Sequence, residues 1–160
     1  MSSFNITPDQ LPAILRGHAR RLPRAVHDGL VMAAQRGRAL LVSKSPVDTG
    51  VYKNAWRVRH HVGGGAELYN DAPHAGIIEA GARPHGVNAA GIAAITAWAM
   101  RKLGLGEKEA RGVAFAVAAK LKKTGQKGLW IVRDNIPELL KYAQQEVARS
   151  VKRALDQRGI

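Results

Sequence analysis

Pro46 sets the first division of this chain. The pyrrolidine ring disfavours helical geometry in Ser45, so a helix arriving from the N-terminal side stops there. Behind it, Asp48-Thr49-Gly50 supplies side-chain oxygens and a residue free to take positive φ, the materials of a tight turn. The segment Ser45-Pro46-Val47-Asp48-Thr49-Gly50 therefore separates an N-terminal helical region from the middle of the chain.

Upstream, Thr7-Pro8-Asp9-Gln10 reads as a capping-box start with Pro at the first helical position. Leu11, Ile14, Leu15 and His18 continue one face, and Pro23 is expected to kink or restart the helix. Val26, Leu30, Ala33, Ala34, Gly37, Leu40 and Leu41 then resume helical spacing, which predicts one long helix ending near Lys44.

Downstream, Val51, Ala55, Trp56, Val58, His60 and Val62 are β-compatible, Gly63-Gly64-Gly65 forms a hairpin tip, and Ala66, Leu68 and Tyr69 return. After an Asn70-Asp71 turn, Ala75-Gly76-Ile77-Ile78-Glu79-Ala80-Gly81 is short and apolar, and periodicity leaves strand and helical turn both open. Ala89 to Leu103 is helical, with Ile92, Ile95, Ala99 and Leu103 on one face beside Trp98, and Gly104 and Gly106 end it. A second helix runs from Glu107 to Lys123, acidic at its start and basic at its end as the helix dipole favours. Leu129-Trp130-Ile131-Val132 reads as a short strand, and Asn135-Ile136-Pro137-Glu138 as the cap of a last helix over roughly Pro137 to Leu155. The expected fold is α+β: long N- and C-terminal helices packed on a small, mainly antiparallel sheet, with a helical insert at about residues 86–124.

A chain of 160 residues, 46% hydrophobic but only 5% aromatic, can bury one ordinary core of Ala, Val, Leu and Ile, so residues 1–160 are expected to form a single domain. The absence of cysteine excludes disulfides and thiolate metal sites. Neither a leader pattern at Met1-Ser2-Ser3-Phe4 nor a run of about 20 apolar residues is present, so a soluble, unprocessed protein is expected.

The net charge of +13 is unevenly spread. Residues 1–45 carry seven basic and two acidic side chains, residues 46–85 four and four, and residues 86–160 fourteen and six. Arg16, Arg20 and Arg24 recur every four residues along one edge of the first helix, beside Arg21, and Lys120, Lys122, Lys123 and Lys127 cluster in the second basic region. Two readings meet these residues: contacts to DNA or an acidic partner, or ordinary solvated helix faces.

Residue types that could carry chemistry do not assemble into a mechanism. His60 and His61 are adjacent on a strand and point to opposite sides, which argues against their sharing a metal ion with His74 or His85. Ser45, Asp71 and His74 compose a triad only on paper, without a nucleophile elbow. Asp48, Glu67, Asp71 and Glu79 sit largely at turns, where Asp bonds locally, rather than in a convergent two-metal set. The three glycines lack the Gly-Lys-Ser/Thr of a phosphate loop, and Trp56, Trp98 and Trp130 are spread as core or interface anchors, not as a base-stacking platform. No enzyme, cofactor or metal is expected.

The motifs in order resemble a known family. Pro46-Val47-Asp48-Thr49-Gly50 with Tyr52, Asn54 and Trp56, then Asn70-Asp71-Ala72-Pro73-His74-Ala75, then Ile78-Glu79-Ala80-Gly81 and a Pro84 loop, are similar to the head-tail joining or tail-completion proteins of tailed phages, related to minor tail protein Z. The likeness spans about residues 7–150, with Lys123-Thr124-Gly125 resembling a basic turn of that family. An extended stretch at 86–112, and His74 where the family often has an aromatic residue, depart from it.

The resemblance implies a structural, non-enzymatic virion protein of the bacteriophage neck or head-proximal tail end. It implies an oligomeric ring of self-associated subunits, commonly a hexamer, made in the host cytoplasm and joining the tail to a DNA-filled capsid. Implied partners are a head-closure or adaptor protein, a tail-terminator or tail-tube protein, and DNA in the channel, with no membrane. Pro46, Asp48, Thr49, Gly50, Tyr52, Trp56, Asn70, Asp71, His74, Ile78, Glu79 and Gly81 are the expected turn and interface residues. The alternative from a different class is a free, basic DNA-binding protein.

Overall fold

The computed structural model describes residues 11–156. The fold is α+β, with long helices at both ends of the described chain and small antiparallel sheets between them. The chain forms two compact units: the first takes in everything up to Ala72 and resumes at Ile131, and the second is Pro73–Trp130. The second unit thus starts well before, and ends after, the insert expected at 86–124.

In the first unit, α1 (Leu11–Lys44) runs unbroken, with Pro23 inside it rather than at a restart. The expected cap at Thr7-Pro8-Asp9-Gln10 lies outside the described residues. The helix packs against α6 (Ile131–Asp156), the most extensive pairing in the molecule. The contact is built on small residues four apart: Ala25, Gly29, Ala33 and Gly37 are buried, and Leu41 continues the stripe. A methyl group at Gly29 would meet the Val147 backbone at 2.6 Å, and one at Gly37 would meet Leu139 and Leu68. Four-residue spacing drifts slowly around a helix, so this row can face one partner for several turns. The buried face is therefore rotated from the expected one, and Val26 is left exposed.

After the turn, Val51–Asn54 forms a single helical turn, α2, instead of the start of a strand. Strand β1 (Trp56–His60) pairs antiparallel with β2 (Ala66–Asn70), Trp56 opposite Asn70 and His60 opposite Ala66, and this hairpin packs on α1. Val62 lies in the tip, fully exposed. His27 of α1 secures that tip by accepting from the Gly65 amide at Nδ1, 3.1 Å, and stands edge-on to His60.

The second unit begins with α3 (Ala75–Ala80), so the segment that periodicity left open is helical, followed by β3 (Gly81–Ala82). Helices α4 (Ala89–Leu103) and α5 (Glu107–Thr124) pack together around Ala99, Ala110 and Ala114, all fully buried. Asn88 caps α4 by accepting from the Gly91 amide, and Gly104 ends it at φ 65°. Strand β4 (Gln126–Lys127) pairs with β3.

The strand expected at Leu129–Val132 is not formed. The pairing residues are Gln126 and Lys127, and Ile131 already opens α6, six residues ahead of the expected start at Pro137. Pro137 lies inside α6, past its first turn, and offers no amide to the helical ladder there. No described helix is long and apolar enough to cross a membrane.

Candidate functional site

The motif residues fall into two joints, one in each unit. In the first, Pro46 ends α1 and the buried Ser45 turns back on it. The Ser45 hydroxyl donates to the Leu41 carbonyl at 2.7 Å and accepts from the Trp56 indole N–H at 2.8 Å. Both are buried, so each polar group is satisfied by the other where water does not reach. Gly50 takes φ 82°, the left-handed value the sequence anticipated, and opens α2. Tyr52 packs edge-to-face on Trp56 with ring centroids 5.8 Å apart.

The Asn70-Asp71 turn closes the same joint. Asn70 donates from Nδ2 to the Tyr52 carbonyl at 2.9 Å and accepts the Ala72 amide at Oδ1, 3.0 Å. The Asp71 amide donates to the Ala55 carbonyl, and its carboxylate pairs with Arg57 at 3.4 Å. Two motifs separated by about twenty residues of hairpin are thereby fastened together. Tyr52 and Trp56 are 4% and 2% exposed, so in this chain they lie in the core of the first unit. What the joint presents outward is Pro46, Val47, Asp48, Thr49 and Val51.

The second joint is made of backbone. Ile78 and Glu79 accept at their carbonyls from the Leu129 and Trp130 amides, 2.8 and 3.0 Å, while Gly81 stands opposite Lys127 and Ala82 opposite Gln126. Three glycines make this approach feasible. A methyl group on Gly81 would strike Gly128 N at 2.6 Å, one on Gly125 would strike Arg83 C at 2.7 Å, and one on Gly128 would strike Ala80 C at 2.5 Å. Gly81 and Gly125 also sit at φ 82° and 71°. The Glu79-Ala80-Gly81 and Lys123-Thr124-Gly125 motifs, 44 positions apart at their glycines, thus meet. His74 precedes α3 as its cap residue, with its carbonyl accepting from Ile78 N, and its ring is exposed. Trp130 is held at φ 51°, unusual for a bulky residue.

No family model, no curated protein and no solved structure matches this chain.

The arrangement does not prime a nucleophile at Ser45, whose hydroxyl is engaged at both ends. Among the described residues there is no group of three or more His, Asp or Glu arranged to hold a metal ion. Of the basic candidates, Arg20 and Arg24 are exposed on α1, Lys120, Lys122 and Lys123 on α5 and Lys127 on β4, in separate units, and the Arg16 side chain lies outside the described residues.

Sequence reasoning missed a charged cluster inside the α1–α6 pair. Glu146, 3% exposed, accepts from Arg36 Nη1 at 2.6 Å and from Arg149 Nη1 at 2.9 Å, and Arg36 also lies over the Tyr142 ring. The Arg36 hydrogen bond does most to hold the Glu146 carboxyl below its ordinary value; burial opposes that, and the charges of Arg149 and Arg36 add to it. The only signal in sequence was the Glu146/Arg149 spacing of three. Its partner Arg36 is 110 positions away.

Proposed function

We propose that this chain is a structural subunit of the tailed-phage neck, a head-tail joining or tail-completion protein acting as a ring between a DNA-filled capsid and its tail. The observation that carries the reading is the fate of Ser45, Trp56 and Asn70: their polar groups are consumed in holding the first joint together, not arrayed for chemistry. The first joint leaves Val47 and Val51 more than half exposed on a neutral stretch of chain, a surface suited to apolar subunit contact. A closed ring needs two different complementary surfaces on every subunit, and the face of the Pro46–Val51 turn is one of them in this reading.

Deleting the gene in a phage that carries it is expected to yield filled heads and complete tails that fail to join. Gly50→Val, which forces a β-branched residue into φ 82°, is expected to lower the number of joined particles without stopping head or tail assembly. Normal titres from the deletion would overturn the proposal. So would a gene neighbourhood without portal, capsid and tail genes.

A further inference from the structure

The α1–α6 pair holds a groove of about 570 Å³ lined by residues of neither joint. It is walled by Arg21, Arg24 and Asp28 of α1 and by Ser150 and Arg153 of α6. Ser150 is 8% exposed, yet its hydroxyl makes no hydrogen bond among the described residues. A buried hydroxyl without a partner carries a desolvation cost, which a ligand oxygen in the groove would relieve. Arg24 and Arg153 are exposed and make no ion pair among the described residues.

We infer that this groove binds a phosphate of a nucleic-acid backbone. Arg24 and Arg153 supply forked donors from two helices, and the Ser150 hydroxyl supplies a third donor from the floor. Guanidinium forks match phosphate oxygens in pairs, and backbone contacts of this kind carry no sequence preference. Nucleic acid is favoured over a small free anion because Arg20, four residues before Arg24, and Lys152, next to Arg153, are also exposed on these helices, against the exposed Asp28 and Asp156. The inference does not depend on the connector reading, since it is tested on the purified chain and that reading on particles.

The test is fluorescence anisotropy with a 20-base-pair duplex of arbitrary sequence, titrated across a potassium chloride series. The double variant Arg24→Gln/Arg153→Gln is expected to flatten the slope of log K against log salt by about one, for the single phosphate that the groove neutralises. Both side chains are exposed, and an unchanged melting curve checks the fold. Ser150→Ala, which keeps the small size that helix packing needs, is expected to weaken binding several-fold with the slope unchanged. Wild-type affinity and slope in the double variant, with binding lost instead on Lys120→Gln/Lys122→Gln/Lys123→Gln, would overturn the assignment. So would binding of inorganic phosphate by the purified chain with no binding of the duplex, which would make the ligand a free anion. Equal competition by poly-glutamate would point to an acidic protein instead.

Discussion

The two joints solve one problem by opposite means. Each fastens segments distant in sequence, yet the joint at Ser45 does so with side chains and the joint at Gly81 does so by having none. In the first, a serine, an asparagine, a tyrosine and a tryptophan fill the space and satisfy one another. In the second, the backbones approach so closely that a single methyl group has no place. A joint made of side chains degrades in steps as atoms are removed, whereas one made of glycines fails when atoms are added.

Trp56→Ala should produce the largest effect, about 3–5 kcal/mol of destabilisation, because it empties the core of the first joint. Hydrogen exchange is expected to show the loss in the first unit, and equal loss throughout Pro73–Trp130 would break the division into two units. Gly81→Ala follows at about 2–4 kcal/mol, from the clash with Gly128 combined with positive φ. The same substitution at Gly64, where φ is also positive but the space is open, should cost only about 1 kcal/mol in a denaturant titration. Equal costs at the two glycines would show that conformation alone, not close approach, makes the second joint.

Ser45→Ala tests the polar half of the first joint. It leaves the Trp56 indole N–H buried without its acceptor, and about 1–2 kcal/mol is expected from chemical denaturation. Trp56→Phe removes donor and unmet need together, so Ser45→Ala in that background should cost less.

The α1–α6 pair adds a pH dependence. Because the Glu146 carboxyl titrates below its ordinary value of 4.5 in the folded chain, its contribution is whole above that pH. It is lost as pH falls through the lowered folded value. Glu146→Gln should flatten this acid limb of stability, and an unchanged limb would remove Glu146 as its source. The smallest effect is expected from Arg59→Ala: an exposed pair with Glu67 at 3.2 Å and a contact over the Tyr69 ring are worth about 0.5–1 kcal/mol, less in high salt.

How far such features could be read beforehand depended on their range. The hairpin, its glycine tip, the helix from Ala89 to Leu103 and the positive φ of Gly50 were legible, because each follows from neighbours a few residues apart. The helical turn at Val51 and the early start of α6 were not. Their residues are equally apt for strands, and packing chose between them.

The sequence by itself determined where α1 stops, which residues turn, the excess of positive charge and the α+β alternation, all consequences of local sterics and composition. Tertiary structure alone decided that Ser45 would serve Trp56, that Gly81 would need Gly128, that Glu146 would find Arg36, and that Ser150 would line one groove with arginines of both helices. Each of those depends on the meeting of segments far apart in the chain. Spacing in sequence carries little of that information, because the backbone between such segments can take many paths.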